Sequence, residues 1–594
     1  MSRGLIIGLA SVAIATSASA ADMPTMATSW DWSGLYAGLH SGAAASGIAR
    51  FSDPFGSALY GDRVRTPGWL FGGQIGYNWQ LAQSPWVFGL EASLTGLDSD
   101  GTDTCFAVSG DTINANCRVR PQILGSLSSR FGYAFGSDGR ALLYVKGGPA
   151  WLHGKVNIVT NNASFPPGDA TAVITSRNSN YSAFGGMIGA GVEYAMTPAW
   201  SFFADYGYLT FARTNINNVG SYSVDAAGAI MAETAAGTSG LRQDLHLFKV
   251  GLNYKWGVDP AAAWPLHANN RLVRKAPASA IWVPGWESEI GARYVRSRSR
   301  FQYDLGWGKA NPTPPTSLVS RLTYAAMNAD SGEIFGRVDT PSNWFVKGFG
   351  GWGKIRDGGM TDEDFGISDN GLFIPYSNTS LPKLNGRTKY ATADLGYSFW
   401  RGQTYKLGGF VGYNYIEQHL LTNGCFQIAN PNGPCVPPVQ VTSPGSMITH
   451  DSRWNSLRIG VNGEFMPFDR IKLGGEVAYL PYASYRGVDT HIFGGTGQIA
   501  SINPQKGEGR GVQLEGLVSY LVTPTFSIGV GGRYWAMWTD TSAQSMRAID
   551  CTAPGVCAST NTPPQHLKAS LEQAAVFVQA SIKFDAAQAS ANRY

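Results

Sequence analysis

Asp362-Glu363-Asp364 and Asp489-Thr490-His491 are the stretches of this chain best equipped for chemistry. Each follows a strand-like run and is expected in the irregular stretch beyond it. In an extended segment residues i and i+2 point the same way, so each triplet can aim two side chains at one spot. Three carboxylates and one imidazole converging on a cleft could activate a water molecule. The competing readings are a solvated acidic loop or an opportunistic Ca²⁺ site for the first triplet, and a surface pair for the second. Parity raises a further condition. Counted strictly, Asp489 shares a face with Ile471, Leu473 and Val477. A bulge or turn between Tyr485 and Asp489, with Gly487 supplying the bend, has to re-aim it.

The elements that must hold these residues are strands. The chain has 74 Gly, 18 Trp, 26 Tyr and 28 Phe in 594 residues, with 14% charged residues. Average globular domains hold about 7% Gly and about 25% charge. High Gly and aromatic content in many short alternating runs suits an all-β protein of transmembrane antiparallel barrels. Residues 1–20 read as a signal peptide: Arg3, an apolar run from Leu5 to Ala15, then Ala18-Ser19-Ala20. No later stretch has the apolar length of a membrane-spanning helix. The bacterial outer membrane is the expected location. The net charge of +4 is too small to point to nucleic acid, and no basic stripe accompanies it.

Two barrels in series are expected. Residues 21–256 read as an eight-stranded barrel, with runs near 34–50, 69–82, 86–99, 120–134, 140–155, 182–196, 198–213 and 244–256. In the last, Phe248, Val250, Leu252, Tyr254 and Trp256 alternate with smaller or polar residues. Residues 257–284, with Pro260, Pro265, Pro277 and Pro284, read as a linker. Residues 285–584 read as a ten-stranded barrel, with runs near 287–304, 317–338, 343–355, 388–399, 404–420, 453–468, 470–486, 508–522, 525–539 and 567–584. Residues 585–594 form a tail. Insertion by barrel-assembly machinery usually uses a terminal aromatic, here Phe584 or Tyr594. The alternative is one porin-like barrel of about eighteen strands, against which stands the proline-rich break.

Six cysteines form three close pairs, Cys105/Cys117, Cys425/Cys435 and Cys551/Cys557. In an exported chain these read as disulfides within loops. With both termini periplasmic, all three pairs fall in outer loops. The two triplets fall outside as well, in outer loops two and four of the second barrel.

The first barrel resembles the small eight-stranded outer-membrane proteins of alphaproteobacteria, on Trp32-Ser33-Gly34-Leu35-Tyr36-Ala37-Gly38, Gly72-Gly73-Gln74-Ile75-Gly76-Tyr77-Asn78-Trp79 and Gly189-Ala190-Gly191-Val192-Glu193-Tyr194. That resemblance implies a structural or surface role. The second barrel resembles the omptins, ten-stranded outer-membrane proteases, which carry Asp-x-Asp in outer loop two and Asp-x-His in outer loop four. The matching residues are Gly358 to Phe365 and Gly487 to His491. They are supported by Val319-Ser320-Arg321-Leu322, Val411-Gly412-Tyr413-Asn414-Tyr415 and Lys472-Leu473-Gly474-Gly475.

This resemblance implies that His491 is the general base, taking a proton from a water held between it and Asp362. Asp489 orients the imidazole, and Asp364 supports Asp362. It implies a peptide or protein substrate. No cofactor or metal is expected: no cysteine pair forms a CxxC and no His lies near one at zinc spacing, and although one His with three carboxylates could hold a cation, nothing else demands it. Lipopolysaccharide is the implied activator, contacted by Tyr415, Glu417 and His419, where His419 replaces the family's Arg; a second family Arg has no counterpart near Met466. The family's substrate-binding acid two positions before the loop-four Asp is here Gly487, its first-strand partner has no equivalent from Arg300 to Tyr303, and Tyr376 to Ser380 replace a family motif. The family's preference for basic residues is therefore not carried over. Two functions stand side by side: a surface peptidase, and a structural or adhesive tandem barrel with a relic site.

Overall fold

Runs that alternate apolar and polar residues pair here into two closed rings. The computed structural model describes residues 30–52, 63–82, 84–106, 115–136, 139–160, 176–217, 221–224, 230–234, 237–258, 285–306, 318–369, 372–402, 404–429, 448–492, 499–545, 547–553, 556–561 and 564–585. The signal peptide, nearly all of the linker and the tail lie outside them.

The first ring holds β1 (Gly34–Phe51), β2 (Gly68–Gln80), β3 (Trp86–Ser99), β4 (Ala115–Phe135), β5 (Ala141–Thr160), β6 (Ser176–Ala195), β7 (Trp200–Phe211) and β8 (Thr238–Lys255). Neighbours in sequence pair antiparallel, and β8 returns to β1 with Leu252 opposite Leu39. The second holds β9 (Glu287–Gly306), β10 (Leu318–Asp339), β11 (Trp344–Asp369), β12 (Lys383–Gly402), β13 (Tyr405–Asn423), β14 (Ile448–Phe468), β15 (Ile471–Ile492), β16 (Ile499–Leu521), β17 (Phe526–Gln544) and β18 (Gln565–Asp585). Here β18 returns to β9, with Tyr294 opposite Val578. Two closed rings replace the single large barrel as the architecture. Closure leaves no unpaired edge, which a spanning sheet in lipid requires.

Both rings turn apolar side chains out and charge in. Leu39, Phe71 and Ile188 of the first ring, and Ile334, Val346, Trp352, Val530 and Val576 of the second, are exposed on the outer surface. Inside the first ring Lys146 bridges Glu91 and Asp205, and Arg130 pairs with Glu193. Inside the second, Glu333 takes Arg293 and Arg533, and Arg458 bridges Asp394 and Glu476. The buried charges named here are paired, the condition under which burial is tolerated. These pairs fill the lumen beneath the mouth of the second barrel.

The barrels touch along their outer walls. Ala43 and Ala45 of β1 pack with Val477, Val512, Leu514 and Ala536, and Trp69 meets Tyr479 at 5.1 Å between ring centres. Small residues at such a contact let the walls approach closely. Near the short turns, Tyr194 donates to or accepts from Thr404 at 2.7 Å, and Phe135 stacks on Phe468 at 5.4 Å.

Strand positions agree closely with those expected from alternation, with one functional difference. β11 runs to Asp369 and β15 to Ile492, so Asp362, Asp364, Asp489 and His491 sit on strands rather than in irregular loops. Ladder partners on both sides hold these extensions: β11 pairs with β10 and with Leu372–Leu381. Cys105–Cys117 is a disulfide joining Gly101–Cys105 to the start of β4. Cys425 is disulfide-bonded, and Cys435 lies outside the described residues. Cys551 and Cys557 are opposite each other in a hairpin of Arg547–Ala553 with Val556–Asn561.

Candidate active site

Two bulges decide which way the key side chains point. In β11, Trp344, Val346 and Trp352 face outward, so strict alternation would send Asp362 and Asp364 outward too. Register shifts between Ala325 and Ala329 of β10, opposite Ile355 to Gly359, interrupt it. Gly358 has φ 145° and Ala326 φ 54°, in the region disfavoured for L side chains. Beyond this point the even positions face inward.

In β15 the shift lies between Leu480 and Ala483, earlier than the expected position between Tyr485 and Asp489. Pro481 accounts for the placement: without an N–H it cannot join the ladder and is confined to bulges or edges. Past it, Tyr485 and Asp489 are fully buried, while Tyr482 and Val488 are exposed. Gly487 therefore makes no bend. A Cβ there would meet the Tyr485 hydroxyl at 2.4 Å and Gln505 Oε1 at 2.8 Å.

The four residues face one another across the ring. Asp489 Oδ2 lies 2.7 Å from His491 Nε2. It also accepts from Asn503 Nδ2 at 3.3 Å, and its Oδ1 accepts from the Tyr324 hydroxyl at 3.2 Å. Tyr324 belongs to β10, on the opposite wall, two residues from the Leu322 that pairs with Asp362. Asp362 and Asp364 act electrostatically on His491 from that wall, and Ser320 hydrogen-bonds Asp364. Asp362 Oδ1 is buried without a hydrogen-bond partner among the described residues. A buried carboxylate oxygen left open in this way has capacity for one further donor.

These groups stand past the outer apolar band, where β11 and β15 turn out Lys354, Arg356 and Arg486 instead of apolar side chains, and their charges act strongly on one another. Burial works against the His491 cation, but Asp489, followed by Asp362 and Asp364, outweighs it and raises the imidazole to about 9. Burial works against the Asp489 anion as well, yet His491 and His450 hold it well below the usual carboxylate range. Asp364 is pushed up to about 6, mainly by burial. Asp362 is raised well above the ordinary value by burial and by the neighbouring charge of Asp364. Two carboxylates pushed up opposite an ion pair is a charge pattern that makes this cluster a candidate functional site.

Sequence reasoning missed the support beneath this pair. His450, fully buried, lies opposite Asp489 in the ladder with Nδ1 3.6 Å from Asp489 Oδ1. It stacks on Phe301 at 4.8 Å and contacts Tyr303 and Tyr324. Lone aromatic and His residues at inward positions gave no signal without the register.

Tyr415, Glu417 and His419 lie together on the outside of β13. Tyr415 donates to Glu417, and His419 pairs with Asp451. Arg453 of β14, not foreseen, binds Glu417 at 3.0 Å and lies over the Tyr415 ring at 5.7 Å. It adds a guanidinium to this outer cluster.

Comparison with known proteins relates both halves of the chain to outer-membrane proteins. Residues 8–255 match the family described as outer membrane protein beta-barrel domain, and residues 294–533 match the family described as Protochlamydia outer membrane protein. The 31 kDa outer-membrane immunogenic protein of Brucella melitensis is 28% identical over 271 residues, covering 43% of this chain and all of that protein. Among solved structures, the outer membrane protease OmpT of Escherichia coli aligns at 15% identity and TM-score 0.39, covering 51% of this chain and 97% of OmpT. Ail of Yersinia pestis aligns at 12% identity and TM-score 0.18, covering 38% of this chain and 99% of Ail. The chain is an outer-membrane protein of two β-barrels in tandem.

Proposed function

We propose that the second barrel is an omptin-like endopeptidase that hydrolyses peptide bonds with a water activated by His491. The observation that carries this reading is the His491–Asp489 pair at 2.7 Å, facing Asp362 and Asp364 across the barrel mouth. Asp489 holds His491 through Nε2 and leaves the other ring nitrogen to the cleft. A water between that nitrogen and the open Oδ1 of Asp362 loses its proton to the imidazole as it attacks the scissile carbonyl. The His491 imidazolium then supplies the proton that the leaving amine takes up. Asp489 stabilises this cation, as the carboxylate of a serine triad does. Water is the nucleophile, so no acyl-enzyme forms.

The residue accepted before the scissile bond is uncharged rather than basic. The position two before Asp489 is Gly487, backed by the Tyr485 hydroxyl and Gln505. On the first strand, Asp304 faces away from the cleft and is engaged by Arg321. A substrate cation there would lose its water without gaining a carboxylate, a costly exchange.

Lipopolysaccharide is the proposed activator, held by Tyr415, Glu417, His419 and Arg453. The test is cleavage of a mixed peptide library by the refolded full chain with lipopolysaccharide, beside His491→Ala. Cleavage by the first alone supports the reading; equal cleavage by both, or cleavage by neither, refutes it.

A further inference from the structure

The row of residues behind the two carboxylates belongs half to the other barrel. Because side chains alternate, the residues between the inward-facing ones point to the outer wall. These are Gln302 and Asp304 on β9, Arg321 on β10 and Glu363 on β11, and the register sets Asp304 opposite Arg321 and Arg321 opposite Glu363. Arg321 is fully buried although it lies outside the ring.

What buries Arg321 is the disulfide-closed hairpin of the first barrel, made by Gly101–Cys105 and the start of β4. Arg321 donates to Asp304 at 2.8 and 2.9 Å, to Thr104 Oγ1 at 2.6 Å and to Asn116 Oδ1 at 2.6 Å. Thr104 and Asn116 face each other in the hairpin ladder, and each adjoins one cysteine of the Cys105–Cys117 bridge. Further contacts surround this one. Thr102 donates to Asp304 at 2.8 Å, Arg300 pairs with Asp103 at 3.1 Å, and Lys568 with Asp100 at 2.9 Å.

We propose that the first barrel is a positioning device for the site of the second: its stapled hairpin, through Thr104 and Asn116 on Arg321, fixes the wall that carries Asp362 and Asp364. This rests on the reading of those carboxylates as part of the catalytic site. The physics is that of a buried guanidinium. Its N–H groups must all be satisfied, so the strand that bears it is held where the acceptors are. Ser320 and Leu322, on either side of Arg321, are the ladder partners of Asp364 and Asp362. A wall displaced at Arg321 displaces both carboxylates. The contact also gives the fusion a purpose, since the hairpin reaches this row only because the barrels lie wall to wall.

The test uses the refolded full chain with Thr104→Val and Asn116→Leu combined, which removes both acceptors without touching the cleft. Two quantities are read: kcat and KM on a peptide that wild type cleaves, and the titration midpoint of His491 by imidazole NMR, assigned by its loss in His491→Ala. The double variant is expected to lose about ten- to a hundredfold in kcat, the scale of a small misplacement, with KM little changed and the His491 midpoint lowered. Thr104→Ser, which keeps the acceptor, is expected to match wild type. So is Arg510→Ala, which breaks the Asp98 contact between the barrels at 3.1 Å away from this row. Cys105→Ser with Cys117→Ser leaves every acceptor in place and is expected to shift both quantities the same way by less, which serves if the first variant does not fold. Wild-type kcat and midpoint in the acceptor-free and bridge-free variants would overturn the proposal, as would equal losses in Arg510→Ala. If wild type cleaves nothing, the peptidase reading fails and the His491 midpoint alone decides: lowered upholds positioning, unchanged overturns it.

Discussion

The Tyr324 hydroxyl reaches across the barrel mouth to Asp489 at 3.2 Å. It comes from the strand beside Asp362 and ends on the carboxylate that holds His491, so one hydrogen bond ties the two walls of the site. A hydrogen bond to a charged group contributes about 1.5–3 kcal/mol, and about 1.4 kcal/mol is a factor of ten in rate. Tyr324→Phe is expected to lower kcat/KM roughly tenfold or more while the folded barrel keeps its shifted gel migration before heating. Peptide-cleavage kinetics beside that migration check both parts.

The pH profile follows from the charges. His491 is raised to about 9, so the neutral imidazole that acts as base is scarce at pH 7 and grows as pH rises. kcat/KM is expected to climb with pH and level off near 9. Asp489→Asn removes the largest influence favouring the cation, so the rising limb moves to lower pH while the plateau rate falls. Profiles of the two proteins with the same inflection would contradict this assignment.

Deletion of Pro481 removes the bulge that turns Asp489 and His491 inward. A one-residue slip sends every following side chain to the other face. Cleavage is expected to fall by at least a hundredfold, the lower range for lost base catalysis, in a protein that still assembles as a barrel. Activity on peptides together with resistance of the folded form to added protease measures the two effects separately.

Ala43 of β1 is fully buried against the second barrel. Ala43→Trp overfills that contact, and overpacking costs about 1–3 kcal/mol. The urea midpoint of the full chain in detergent is expected to fall, whereas Leu39→Trp, on a lipid-exposed position of the same strand, is expected to leave it in place.

Alternation made the strands legible, because a lipid-facing wall and a charged lumen impose a period of two over each crossing. The same rule misjudges the site. Counted straight from Leu473 or Trp352, Asp489 and Asp362 face outward, and only bulges at Pro481 and Gly358 reverse them. Parity read from sequence announced the first of these and put it too late; the second passed unnoticed. The pairs themselves were legible from their spacing. His450, Tyr324 and Asn503 were not, since their relation to Asp489 depends on ladder register across strands far apart in sequence. Arg321 was invisible for a stronger reason: its partners Thr104 and Asn116 belong to the other barrel.

The central claim is hydrolysis of the peptide bond governed by His491. Digestion of a peptide library in ¹⁸O-water by the full chain with lipopolysaccharide, followed by mass spectrometry of the products, tests it. The account predicts new carboxyl termini carrying one ¹⁸O from a single cleavage event with wild type, and none with His491→Ala. Labelled termini in equal amount from both proteins, or from neither, would contradict it.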